Sequence, residues 1–220
     1  MIFFKNGEIP QVPHMYFIYG DGGTGKTTIF KQFPGKKLLI SFDMSTNPLM
    51  GDKSIDVGVI EQADGPRIQE IVDMWVDKAI NSKYDAIALD NISALQNLVL
   101  ENIDGRSKDG RQNYQKLQVW FRELAMKLRS SGKAVYATAH QVDNGASGLT
   151  SDGRFGPDMN EKTFNAFTSV FDLVGRIYLK DGQRWIDLDP EQGNHAKNRI
   201  DNRKLIKAAE LINQKKEGNE

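Results

Sequence analysis

The sequence predicts an α/β domain: a mostly parallel sheet with helices on both faces and an antiparallel hairpin added at its C-terminal end. Three observations carry this prediction. Short apolar runs alternate with longer stretches of helical period, the first run ends in a glycine-rich turn, and two late strand-like segments are joined by the dipeptide Asp181-Gly182.

Taken in order, "MYFIY" (15–19), "KKLLISF" (36–42), "YDAIALD" (84–90) and "KAVYATAH" (133–140) are short and rich in β-branched, aromatic and leucine residues. They read as strands buried on both faces. Helical segments are expected at "KTTIFKQF", "GPRIQEIVDMWVDKAINS" and "NYQKLQVWFRELAMKLRSSG". In the last of these, Leu117, Trp120, Phe121, Leu124 and Leu128 form one apolar stripe that ends at Gly132. From Gln141 to Thr163 the chain is rich in Gly, Ser, Asp and Asn without a period and is expected to be a long loop. "LVGRIYLK" and "QRWIDLD" then form the hairpin. One domain over residues 1–203 is expected, followed by a basic tail, 204–220, that forms a fraying helix and is partly disordered.

Lys+Arg and Asp+Glu both number 29 in 220 residues, so attraction to a polyanion has to come from local clusters of charge. The absence of cysteine excludes disulfides and thiolate metal sites, and no apolar run approaches the roughly 18 residues of a membrane span. The N-terminus has no basic region followed by a cleavage site. A soluble, cytoplasmic protein without membrane contact is expected. His14 and His195 are isolated, so no metal site beyond Mg²⁺ is expected, and Trp75 and Trp120 sit on apolar helix faces as core residues.

"GDGGTGKTT", comprising Gly20, Asp21, Gly22, Gly23, Thr24, Gly25, Lys26, Thr27 and Thr28, fits G-x-x-x-x-G-K-[ST] between a strand and a helix. Glycines let successive N–H groups face phosphates, and the helix that follows adds its positive end. Lys26 would reach the terminal phosphates of a nucleoside triphosphate, and the Thr27 hydroxyl would ligate Mg²⁺. The acidic partner of such a site stands at the tip of another parallel strand, where Asp90 ends "YDAIALD". Asp90 would hold Mg²⁺ or its water; the alternative is that it only caps the next helix.

In that order, "GDGGTGKTT", "LLISFD", "IALDNISALQ", "GKAVYATAHQ" and "AKNRID" resemble the RecA-like P-loop ATPases, and among them the small phage nucleotide-binding proteins of single-strand annealing recombination. The resemblance spans roughly residues 14 to 201. It implies a RecA-like P-loop NTPase core that hydrolyses ATP with Mg²⁺ and binds single-stranded DNA in recombination. It implies a ring or filament of copies, a single-stranded DNA-binding protein as a further partner and, for a phage protein, the host cytoplasm as location.

The resemblance also assigns residues. Gln141 or His140 would sense the γ-phosphate and pass its state to the loop that follows. That loop, with Arg154 and Phe155, and "IDGRSKDGRQN", with Arg106, Lys108 and Arg111, would contact DNA. Phe155 would stack on a base. The same segments also read as solvated loops, since Asp104, Asp109, Asp143, Asp152 and Asp158 dilute their positive charge. Lys197 and Arg199 share parity along an extended segment and would reach a neighbouring subunit's γ-phosphate; taken alone, they read as a solvated strand end.

One departure concerns rate. RecA carries a glutamate two residues after the aspartate of its second strand, whereas "SFDMSTNP" has Asp43 followed at that step by Ser45. Either Asp43 acts as the base, or it assists Mg²⁺ and hydrolysis is slow. Two other functions stay open, a hexameric helicase-like motor and a nucleotide-gated loader or regulator of a replication protein.

Overall fold

A computed structural model describes residues 3–103, 110–145, 154–190 and 193–212. Strands β1 (Met15–Gly20), β2 (Lys37–Ser41), β3 (Ile55–Val59), β4 (Ala86–Asp90), β5 (Ala134–Ala139) and β8 (Leu173–Lys180) run parallel in the spatial order β3-β2-β4-β5-β1-β8. Beyond β8 the sheet continues antiparallel through β9 (Gln183–Asp187) and β11 (Leu205–Lys207), while β10 (Lys197–Asn198) pairs with the start of β8. Two short strands, β6 (Gln141–Asp143) and β7 (Phe155–Pro157), pair with each other off the main sheet. The expected parallel sheet with an antiparallel hairpin extension is present.

The central strands are apolar on both sides because both faces are covered. One face buries α2 (Ile68–Ile80), α3 (Ile92–Asn102), α4 (Gly110–Ser130) and α5 (Glu161–Thr168). The other, among the described residues, carries α1 (Lys26–Ile29), the 3₁₀ turns Phe30–Gln32 and Asn47–Leu49 and the segment around Leu211. Helices therefore lie on both faces, unequally. Leu117, Phe121, Leu124 and Leu128 of the predicted stripe are buried in the larger core, with Trp75 and Trp120 packed at its margin.

Several segments differ from expectation. β3 was not anticipated; it is the sheet edge, with Val57 and Val59 outward and Asp56 and Gly58 interrupting the pattern, so its apolar signal is weak. The loop expected over 141–163 is closed at its base by β6 and β7, and from Glu161 it is the helix α5, whose Asn160 side chain caps the Thr163 N–H. The helix expected after Lys204 is instead β11, which takes the open edge of β9, followed by a 3₁₀ turn at Ala208–Glu210. Ile206, Ala208 and Leu211 are buried, so the domain packs past residue 203.

Asp172, just before β8, ties three distant segments together. Its carboxylate accepts both Nη groups of Arg129 at 2.8 Å and the Met15 N–H at 2.9 Å. Burial alone would raise its pKa, but these donors outweigh burial and hold it below the usual carboxylate value.

The burial of Leu211 shows that the described segment from Lys204 to Ile212 packs, where a fraying helix was expected. Leu211→Ala is expected to cost ~2–4 kcal/mol in urea unfolding, as a buried leucine does, whereas a frayed tail would leave the midpoint unchanged.

Candidate active site

The glycine-rich loop connects β1 to α1, and its geometry depends on particular glycines. A methyl on Gly20 would stand 2.3 Å from the Ile177 carbonyl oxygen of β8, so only glycine allows this strand contact. Gly23 and Gly25 have φ of +75° and +94°, the left-handed region that favours glycine. Lys26 is buried, and its Nζ donates to the Gly20 and Asp21 carbonyls at 2.8 Å. Burial lowers its pKa, opposed by Asp90, Asp21 and Asp43.

Asp90, at the tip of β4, meets this loop. The Thr27 hydroxyl donates to one carboxylate oxygen at 2.6 Å, and the Thr138 hydroxyl of β5 donates to the other. Burial raises the Asp90 pKa, against the two hydroxyl bonds, and Asp43 raises it further. Asp90 does not cap α3. Asn91 does so, its side chain accepting the Ala94 N–H at 2.9 Å.

Asp43, past the end of β2, accepts the Ser45 N–H at 3.0 Å and the Asn91 side-chain amide. The same amide lies 3.2 Å from His140 Nε2. Asp43, Asn91 and His140 thus form a polar chain across the tips of β2, β4 and β5. They line one cleft of about 470 Å³ together with Gly22, Lys26, Thr27, Asp90 and Arg184.

The donors suit a hard divalent cation: a buried carboxylate whose ionised form is disfavoured and a hydroxyl touching it, both oxygen ligands beside a phosphate loop. Among the described residues no cluster of three His, Cys, Asp or Glu could hold a metal. That is compatible with Mg²⁺, which takes one or two carboxylates plus substrate phosphates.

A family model described as an AAA domain matches residues 13–200, which take in both halves of this cleft. The chain belongs to that family. The site of this AAA-domain protein is accordingly that of a P-loop ATPase. A solved KaiC-like protein from the hyperthermophilic archaeon Pyrococcus horikoshii OT3 is similar at 13% identity with a TM-score of 0.47, over 80% of this chain and 78% of that chain. No curated protein matches. No helix among the described residues is long and apolar enough to cross a membrane.

Of the residues that the resemblance assigns in this AAA-domain protein, His140 lines the cleft and the other described ones lie outside its lining. Gln141 donates to Asp21 Oδ2 at 2.8 Å and accepts from Arg176 Nε at 3.0 Å, so it touches the phosphate loop's second residue, while His140 faces the cleft. Arg154 is ion-paired with Asp143 at 3.1 Å, and the Phe155 ring lies 3.4 Å from Arg176 Cζ and 4.8 Å from Arg154 Cζ. A base stacking on Phe155 would compete with these cations. Arg111 is in the first turn of α4, not in a loop, and Arg106 and Lys108 lie outside the described residues.

Lys197 Nζ donates to the Thr168 carbonyl at 2.7 Å, and Arg199 Nη1 approaches the Ser169 carbonyl at 3.5 Å. The two cations share a face, as their parity predicts, and cover the C-terminal end of α5. Burial and Arg199 lower the Lys197 pKa to about 8. Asn198 is the organiser of this turn: its amide donates to Asp201 Oδ1 and the Arg203 carbonyl, and its carbonyl accepts from the Ile200 and Asp201 N–H groups.

Sequence reasoning missed Asn91, Thr138 and Arg184. Each would have been found only from strand order and register, which bring β4, β5 and β9 to the loop.

The raised Asp90 pKa gives a pH test. Its ionised form is disfavoured in the fold, so the stability it contributes is present at low pH and lost as pH rises through its folded pKa. Asp90→Asn is expected to stabilise the metal-free protein at pH 7 by ~1 kcal/mol, or ~2–4 °C in Tm. The gain should shrink as pH falls below the folded pKa. Calorimetry across pH checks this, and destabilisation at every pH would contradict it.

Proposed function

We propose that the protein is a Mg²⁺-dependent ATPase of RecA-like type that acts as an oligomer on single-stranded DNA in recombination, by annealing or strand exchange. The observation that carries the ATPase reading is the 2.6 Å contact between Thr27 and the buried Asp90 in one cleft with Lys26 and Asp43.

In this reading the backbone N–H groups from Gly22 to Thr28 bind the phosphates, and Lys26 exchanges the Gly20 and Asp21 carbonyls for phosphate oxygens. Thr27 and Asp90 would hold Mg²⁺, which when bound would supply positive charge to the nucleotide's phosphates. Asp43 orients the attacking water in place of the absent glutamate, its carboxylate fixed by Asn91 and the Ser45 N–H. A carboxylate has about four acceptor positions, so these donors leave room for a water.

The polymer and DNA parts draw support from two arrangements. Lys197 and Arg199 line a separate cavity with Thr168, Ser169 and His195 that shares no residue with the ATP cleft. Contact with a γ-phosphate would therefore be with a neighbour's. Asp21, Gln141, Arg176 and Phe155 form a continuous chain from the phosphate loop to β7, giving nucleotide state a physical route to the segment between β6 and β7. The nucleotide-gated loader is the second reading; the engagement of Arg154 and Phe155 within the chain favours it.

Lys26→Ala is expected to abolish ATP turnover. Arg199→Ala should retain ATP binding while turnover falls by about 10³, the low end for an arginine supplied in trans; wild-type turnover in this variant would remove the composite site. Single-stranded DNA at low salt, where phosphate contacts are strongest, should bind and stimulate turnover. Absence of both effects would leave the loader reading.

A further inference from the structure

The β8–β9 hairpin delivers a cation to the nucleotide cleft that no motif marks. Arg184 lies on β9 two residues before Ile186, so both side chains project from the same face of the sheet. Ile186 is buried on that face with Ile29 and Phe30 of the α1 segment. Arg184, nearer the hairpin turn, therefore extends past the core over the phosphate loop. Its Nε is 2.9 Å from where a Cβ of Gly25 would be. Gly25 thus serves two purposes, its positive φ and the space it leaves for this guanidinium.

Other cations near the loop are already engaged. Lys26 is held by two carbonyls of its own loop, and Arg176 donates to Gln141. Arg184, among the described residues, has no ion pair and no side-chain hydrogen bond. An exposed arginine is common, but this one lines the phosphate cleft itself.

Arg184 also lines a second cavity of about 460 Å³, which meets the first at Gly25, Thr28 and Arg184. The second cavity continues along α1 past Ile29 and Gln32 to Gln183, Lys207, Ala208 and Ala209, with no carboxylate in its lining. The direction of a bound nucleotide follows from the acidic end. Asp43 and Asp90 stand only in the first cavity, so the γ-phosphate and its cation belong there, and the sugar and base leave on the Thr28 side. Arg184 stands at that exit.

We propose that Arg184 is a nucleotide-binding residue acting within its own chain: its guanidinium contacts the phosphate chain where the two cavities meet, and the cavity along α1 takes the ribose and base. This rests on the ATP-binding reading above. It adds a cis contact distinct from Lys197 and Arg199, and it makes nucleotide affinity depend on the C-terminal hairpin. Guanidinium suits the role because its fixed fork of donors matches phosphate oxygens.

The test is calorimetric titration of the full chain with ATP, ADP, adenosine and inorganic tripolyphosphate, in wild type, Arg184→Ala and the exposed hairpin control Lys180→Ala. Loss of one charge-assisted hydrogen bond weakens binding about tenfold or more. The dissociation constants of ATP, ADP and tripolyphosphate should rise by that factor in Arg184→Ala, while Lys180→Ala stays within about twofold. Wild-type affinity for ATP in Arg184→Ala would overturn the proposal while leaving the ATPase reading intact. A loss confined to adenosine would overturn the phosphate contact. Failure of the wild type itself to bind ATP would overturn both readings.

Discussion

The carboxylate of Asp90 stands at the tip of β4 with one oxygen on the Thr27 hydroxyl and the other on the Thr138 hydroxyl, and three segments distant in sequence meet on it. The phosphate loop, the acidic strand and the strand between them are held in register by this group. Its cost is set by burial, which disfavours the charge that the site needs. A folded protein keeps such a buried group where its charge is used, and Asp90 keeps its carboxylate beside the phosphate loop, on the Thr27 hydroxyl.

From that junction the rest of the active end follows. Asn91, next in sequence, caps α3 with its carbonyl and turns its amide to Asp43, so one side chain both starts a helix and positions a candidate base. Tyr136, buried in β5, donates to the Lys26 carbonyl at 2.8 Å and fixes the first turn of α1 against the sheet. The antiparallel extension adds its own constraint: Gly20 has no room for a side chain because β8 passes against it, and β9 then carries Arg184 over the loop. Nucleotide site and C-terminal hairpin are therefore parts of one packed unit.

Much of this was legible in the sequence, and the limits have physical causes. β1, β2, β4 and β5 were visible because strands buried on both faces must be apolar throughout, and the phosphate loop because its glycines and Lys26 are local in sequence. β3 was hidden because an edge strand needs only one apolar face. α5 was hidden because its eight residues follow a polar, glycine-rich stretch. The segment after Lys204 has a mixed pattern that neighbouring β9, with its open edge, resolves as a strand. Asn91, Thr138 and Arg184 act across strands, and no single window of sequence contains their partners. Lys197 and Arg199 share a face as their parity implied, whereas their action on a neighbour depends on an assembly.

The most direct measurement of the central claim, that Thr27 and Asp90 form the cation site of a bound nucleotide, is electron paramagnetic resonance of Mn²⁺ titrated into the ATP-loaded protein in place of Mg²⁺. The wild type should bind the cation tightly in the ATP complex, and Asp90→Asn should weaken that binding by about tenfold or more, the worth of one charged contact. Equal Mn²⁺ affinity in the two proteins, with ATP bound to both, would contradict it.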